Sequence, residues 1–289
     1  MKKSRNLLMF LIIFLQISTA QIAASPLETL LGSAQGDTQD VLIIMYHALE
    51  DTPDNIWEIT TADFESDLKY LAANGFNTVI MQDLIDFVYH GKPLPENPIV
   101  LSFDDGRSPT IDILLPLLEQ YNAQITMAII GIETDKYTEI EKQKGKGRHP
   151  HMTWGDVQNA ANSGRVEIQS HTYDLHGSRG IGKKSGESDE AHAARLLADL
   201  EKFALVLEQN AGLTANSLTY PLGVFTDTSD DIIKQAGYLA SMTCREKTNT
   251  LVVGNPESLF SLNRYLRPPR KSSEQFFSKI LENQEMAAE

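Results

Sequence analysis

Along the chain, short unbroken apolar runs alternate with longer stretches in which apolar residues recur every three or four positions. The segments at 41–47, 76–81, 99–103, 125–130, 166–170, 218–220, 239–244 and 260–264 predict strands, and the mostly branched apolar run at 99–103 fits a strand covered on both faces. Between them, Phe64, Leu68 and Leu71 fall at i, i+4 and i+7 and predict a helix capped by Thr61 and ended at Gly75. Leu84, Phe87 and Val88 predict a helix ending at Gly91, and Ile111, Leu114, Leu115, Leu117 and Leu118 mark another. Further helices are expected over 154–161, 191–209, 232–237 and 275–285, with polar loops at 92–95, 142–151 and 177–189. Strands alternating with helices along the whole chain predict parallel β/α units. Seven or eight such units suit a closed or nearly closed barrel in one domain.

Three strand ends carry chemistry. The run 99–103 stops at Asp104-Asp105-Gly106, the run 166–170 stops at His171 with His176 five positions on, and 218–220 runs into Pro221-Leu222-Gly223. Burying two adjacent carboxylates is costly without a cation or hydrogen bonds, so the carboxyl end of a strand, where parallel barrels place their sites, is where they belong. In such a barrel all strand ends share one face, and these groups can converge. A carboxylate with two imidazoles makes a three-ligand site with open positions, suited to a divalent ion. On a regular helix five positions turn two side chains ~140° apart, so His171 and His176 need an irregular turn to meet one ion. The plain alternative is that Asp104 caps a helix, Asp105 is solvated and the histidines stand apart.

Composition narrows the class. A hydrophobic fraction of 42% supports a full core, and a net charge of −14 argues against nucleic acid as a partner. Residues 1–24 open with Lys2, Lys3 and Arg5, continue through an apolar run at 7–15 too short to span a bilayer comfortably, and end in small residues. This order is that of a secretory signal, cut near Gln21 or Ser25, with an uncleaved anchor as the alternative because 16–24 is only weakly polar. Residues 25–39 are polar and small and are expected to be a linker, leaving 40–289 as the folded domain. No other segment is apolar enough to span a membrane, so the expected location is secreted or cell-surface. Cys244 is the only cysteine, so no intrachain disulfide forms.

Ser102-Phe103-Asp104-Asp105-Gly106 and His171-Thr172-Tyr173-Asp174-Leu175-His176 resemble the first two motifs of the polysaccharide deacetylases (carbohydrate esterase family 4, with the NodB-homology domain). The resemblance covers most of the chain from Val41 onward. It implies an α/β fold, a single-domain distorted (β/α)7 barrel of the polysaccharide deacetylase type. It also implies metal-dependent removal of acetyl groups from an N-acetylated polysaccharide. Carried over, Asp104 is the general base and Asp105, His171 and His176 hold the ion, zinc first, with cobalt or nickel as alternatives. The wider histidine spacing resembles the branch that acts on poly-N-acetylglucosamine. Tyr220-Pro221-Leu222 matches the turn that contributes an oxyanion-binding backbone N–H, which falls at Leu222.

Two departures from the family pattern stand out. Thr219 occupies the place of an arginine that orients the base, for which Arg264 is a substitute if it is not a surface residue. No histidine follows His192 to serve as general acid, and His47 is the replacement to consider, if it does not simply satisfy strand-end hydrogen bonds. Trp154 and Tyr173 are open to either sugar stacking or packing, while His90, His149, His151 and His192 read as surface residues. The competing functions are a glycan-binding protein that keeps the fold without turnover and an O-acetyl esterase.

Overall fold

The computed structural model describes residues 37–145, 147 and 149–288. The expected signal at 1–24 and most of the expected linker lie outside them. The first strand, β1 (Thr38–Tyr46), takes in the last two residues of the expected linker, so the domain begins before position 40.

Parallel strands follow β1 in a ring. β5 (Pro98–Phe103) pairs with β1, then come β6 (Ile125–Ile129), β7 (Val166–Ser170), β8 (Ser217–Thr219) and β9 (Ala240–Met242), each parallel to the one before. The ring closes through residues 262–266. Leu262 bridges Met242 of β9, and β11 (Tyr265–Leu266) lies parallel to Ile44 and Met45 of β1. That makes seven staves, the number the family resemblance implied and within the seven or eight that the repeating pattern allowed. β4 (Asn77–Val79) pairs with the first half of β5, and β10 (Asn249–Val252) runs antiparallel to the first half of β1. A short pair, β2 (Ala48–Leu49) and β3 (Glu58–Ile59), follows the end of β1.

The helices are α1 (Thr61–Ala73), α2 (Met81–His90), α3 (Ser108–Gln120), α4 (Gly131–Lys144), α5 (Trp154–Asn162), α6 (Asp189–Ala211), α7 (Ser229–Gln235) and α8 (Ser273–Ala288). Strand alternation divides the core. Leu42, Ile44 and Tyr46 of β1 join the cluster with α1, α3 and α8, while Val41 and Ile43 join the one with α2. The cap of α1 is Thr60 rather than Thr61. Its hydroxyl accepts from the Asp63 N–H and Asp63 returns a bond to the Thr60 N–H, a reciprocal box that Thr61, with Phe64 three residues on, cannot make. Helix α4 has no counterpart in the apolar pattern, because only Gly131 and Thr134 on it are buried.

Candidate active site

β5 delivers the two aspartates to the carboxyl end of the ring. Asp105 itself takes a left-handed backbone (φ 72°) and Gly106 follows at φ 63°, a sharp turn in which a Cβ on Gly106 would meet Ile129 Cγ2 at 2.8 Å. Thr172 (φ 71°) and Leu222 (φ 58°) are also left-handed. Each such non-glycine residue costs on the order of 1–3 kcal/mol, and strain of this kind collects at functional sites. The His151 Nδ1 lies 2.8 Å from the Asp105 carbonyl, bracing the turn, so His151 is not a free surface residue.

Turning in opposite directions, the two carboxylates meet different partners. Asp104 is buried and gripped by Arg264, with Nη1 to Oδ1 at 2.8 Å and Nη2 to Oδ2 at 2.9 Å. Arg264 is itself sealed. Its Nε donates to the Thr243 carbonyl and its Nη1 also reaches Ser102 Oγ, so it is no surface arginine. Asp105 faces the histidines, with its Oδ1 3.6 Å from His171 Nε2 and 3.3 Å from His176 Nε2. One ligand atom from each of Asp105, His171 and His176 fits within 4.8 Å of the others.

This trio suits a divalent cation. The buried Asp105 Oδ1 has no hydrogen-bond partner, an expense that a cation would offset. His171 Nδ1 lies 2.9 Å from the Thr219 carbonyl, which can only accept, so the proton sits on Nδ1 and Nε2 presents its lone pair toward Asp105. The irregular turn between the histidines is held from behind: the Asp199 carboxylate accepts the N–H groups of both Tyr173 and Asp174 at 2.8 Å.

Electrostatics follow burial and neighbours. Burial pushes the Asp104 carboxyl up, but Arg264, His171 and His47 outweigh it and hold it below the usual carboxylate range. Asp105 is likewise lowered against burial by the imidazoles around it. Burial lowers His47 and His171 in spite of the nearby carboxylates, whereas for His176 the pull of Asp105 outweighs burial and raises it.

His47 follows β1 directly, with Nε2 3.9 Å from Asp104 Oδ2, its buried Nδ1 unpartnered, and its ring 4.8 Å from the ring of Trp57. These groups line a cleft of about 330 Å³ that Arg107, Leu222 and Cys244 complete. Leu222 is exposed on this cleft. Tyr220 is not brought there. Its ring is buried beside Phe225 and its hydroxyl donates to Asp230 Oδ1 at 2.6 Å. Pro221 is buried in the turn between them. Trp154 and Tyr173 are packing residues that share Asp135 as acceptor, and His192 is buried against the Ile181 carbonyl instead of lying on the surface. Trp57 carried no signal in the sequence beyond being one of two tryptophans.

The profile of the polysaccharide deacetylase family matches residues 91–241, just over half of the chain, and the chain belongs to that family. It is 24% identical to a poly-β-1,6-N-acetyl-D-glucosamine N-deacetylase of Escherichia coli over 93% of its own length and 43% of that protein. Against the Staphylococcus aureus protein of the same name it is 23% identical, covering 67% of this chain and 63% of that one. The chain thus spans about two fifths to two thirds of these relatives. Among solved structures, a de-N-acetylase from Aggregatibacter actinomycetemcomitans superposes with a TM-score of 0.69 at 25% identity, over 84% of this chain and 99% of that one. No described helix is long and apolar enough to cross a membrane.

Proposed function

We propose that the protein is an exported, metal-dependent N-deacetylase of β-linked N-acetylglucosamine polymers. One observation carries the reading: a carboxylate and two imidazoles within reach of one ion stand beside a second carboxylate locked in place by an arginine. The poly-N-acetylglucosamine deacetylases among the relatives support the substrate class, and the order of charges and apolar residues in 1–24 supports export.

Asp105, His171 and His176 are the residues that hold the ion, zinc by its preference for such a donor set, with cobalt or nickel able to replace it. When bound, a divalent ion supplies Lewis acidity, acidifying water and polarising a carbonyl. Asp104, kept ionised and aimed by Arg264, takes the proton from the attacking water. The Leu222 N–H, on the cleft wall, contributes to holding the developing oxyanion. The amine leaves only if protonated, and His47 donates that proton. Burial lowers its affinity for one, so its protonated form gives up the proton more readily than an ordinary imidazolium. Asp104 returning its own proton is the competing route.

The test measures acetate release from β-1,6-linked N-acetylglucosamine oligomers, with and without added divalent ion, for wild type, Asp104→Asn and His47→Ala. Wild type releases acetate in an ion-dependent way. Asp104→Asn keeps the ion and loses turnover by about 10²-fold or more. His47→Ala loses about as much on the amide, yet hydrolyses an activated acetyl ester, whose leaving group needs no proton, almost normally. Equal loss on amide and ester moves both proton transfers to Asp104. Release from acetylated xylan but none from the glucosamine oligomers rejects the substrate.

A further inference from the structure

Behind the cleft wall a single carboxylate ties three neighbouring staves together. Asp230, half-buried near the start of α7, accepts three short hydroxyl hydrogen bonds. Its Oδ1 takes the Tyr220 hydroxyl and Ser241 Oγ, each at 2.6 Å, and its Oδ2 takes Ser261 Oγ at 2.6 Å. Tyr220 follows β8, Ser241 lies on β9, and Ser261 leads into the segment that closes the ring. Hydroxyl bonds of this length to an ionised carboxylate are among the strong ones. Asp230 is not among the residues that line the cleft.

An ionised carboxylate only accepts, so it sets the direction of every bond around it. All three hydroxyls donate to it, and Ser241 Oγ is left to accept the Ser261 N–H at 2.6 Å. Burial and the Asp230 charge push the Tyr220 hydroxyl pKa up, so that hydroxyl remains a donor. Each tie leads to a group of the site. The Tyr220 carbonyl accepts the Gly223 N–H at 3.0 Å, so the turn that presents the left-handed Leu222 hangs from Tyr220. This turn has no slack on either side. A Cβ on Gly180 would meet the Pro221 carbonyl oxygen at 2.6 Å, and one on Gly223 would meet Cys244 Cβ at 2.8 Å. Ser261, itself left-handed at φ 55°, precedes Leu262, whose N–H donates to the Ser241 carbonyl at 2.8 Å and whose carbonyl accepts the Thr243 N–H at 2.7 Å. Arg264, which holds Asp104, comes two residues later.

We propose that Asp230 is a positioning residue which, through Tyr220 and Ser261, sets the spacing between the Leu222 N–H and the Asp104 carboxylate held by Arg264. The inference rests on the deacetylase reading and adds the group that keeps its two halves in register. The attacking water and the developing oxyanion meet at one carbon, so the base and the oxyanion donor have to be placed correctly at the same moment. A displacement of about 1 Å, even from a change remote from the chemistry, can cost about 10²-fold in rate. Neither Tyr220 nor Ser261 touches the Asp105, His171 and His176 trio, so the ion is held independently of Asp230.

The test compares wild type, Asp230→Ala, Tyr220→Phe and Val88→Ala, the last a truncation in a separate core cluster that lowers stability without touching the Asp230 ties. Steady-state kinetics are measured on a β-1,6-linked N-acetylglucosamine tetramer and on an activated acetyl ester, at a temperature where all four are folded. Melting temperature, bound ion and the Leu222 amide resonance in a proton–nitrogen correlation spectrum are read alongside. Asp230→Ala lowers kcat on both substrates by about tenfold or more, because both need the oxyanion held, and leaves KM and bound ion within about twofold. Tyr220→Phe, which removes one tie and keeps the ring, lowers kcat by about threefold or more in the same pattern. Both move the Leu222 resonance. Val88→Ala loses melting temperature but keeps kcat within about twofold and leaves that resonance in place. A wild-type kcat in Asp230→Ala, or in Tyr220→Phe should the first variant not fold, overturns the proposal. So does an unmoved Leu222 resonance, or an equal loss of kcat in Val88→Ala. If wild type cleaves the ester but not the tetramer, the N-deacetylase reading fails and the ester still decides the role of Asp230. If it cleaves neither, the deacetylase reading fails and the Leu222 resonance decides whether Asp230 holds the turn.

Discussion

Arg264 and Arg267 flank β11 on the segment that closes the ring, and each clasps a buried aspartate with two nitrogens, yet the two pairs behave differently. Arg267 grips Asp67 of α1 through Nε at 2.8 Å and Nη2 at 3.0 Å. The Tyr46 hydroxyl completes the carboxylate, and the carbonyls of Pro268 and Lys271 take further Arg267 N–H groups. Both partners are fully buried. At Asp67 burial outweighs Arg267 and the carboxyl is raised, while at Asp104 Arg264, with His171 and His47 beside it, outweighs burial and the carboxyl is lowered. Identical pair chemistry therefore gives a clasp in one place and a poised base in the other. The difference lies in what else faces the carboxylate: a tyrosine and packed chain for Asp67, imidazoles and an open cleft for Asp104.

Removing each arginine gives the largest expected effects. Arg264→Met and Arg267→Met each strand a buried carboxylate, and each is expected to lower unfolding free energy by about 3–5 kcal/mol in chemical denaturation. Only Arg264→Met is expected to lower turnover as well, by about 10²-fold or more, when acetate release is measured at a temperature where the variant remains folded. Arg267→Met is expected to keep kcat within a few-fold under the same condition. An equal loss of turnover in both variants would dissolve the distinction between base-holder and clasp.

Legibility in the sequence follows the same division. Asp104, Asp105 and His171 were readable because they stand at predicted strand ends, and His176 because of its spacing from His171. Their spacing within a segment survives folding, as does the alternation that yields seven staves. Arg264 and His47 emerged only as stand-ins for absent motif residues. The Asp67–Arg267 clasp spans 200 positions, so no local pattern announces it, and Asp67 sits on the buried face of α1 where periodicity expects an apolar residue. Helix α4 was invisible because it buries almost nothing apolar. Trp57, Asp199 and His151 act through turns, whose geometry depends on distant partners. Tyr220 was assigned to the cleft by its place in a motif, but the side chain packs away from it and only the turn that follows reaches the site.

A smaller effect tests whether the ion-holding trio depends on support from behind. Asp199 on α6 holds the turn between the histidines through two backbone N–H groups, and an amide oxygen can replace only one carboxylate oxygen. Asp199→Asn is expected to weaken ion binding by about 10- to 100-fold, as losses of such supporting groups do, read by chelator competition. Unchanged affinity would show that the Gly131 N–H to Thr172 carbonyl and Ile132 N–H to Tyr173 carbonyl bonds suffice to hold the turn.

The smallest effect concerns pH and bears directly on the contrast between the two pairs. Burial raises the folded-state pKa of Asp67 above its unfolded value despite Arg267. A carboxyl raised in this way binds protons more readily folded than unfolded. Its contribution to stability is then fully present below the unfolded pKa of about 3.9 and is lost as pH rises through the raised folded value. Asp67→Asn cannot titrate at this position, so all other groups cancel in the difference between wild type and variant. That difference in unfolding free energy, measured by urea denaturation at a series of pH values from about 4 to 7, is expected to shrink as pH rises. A difference that grows with pH would mean that Arg267 outweighs burial. Asp67 would then be a lowered carboxylate like Asp104, and the contrast between clasp and base would have to rest on the imidazoles and the open cleft alone.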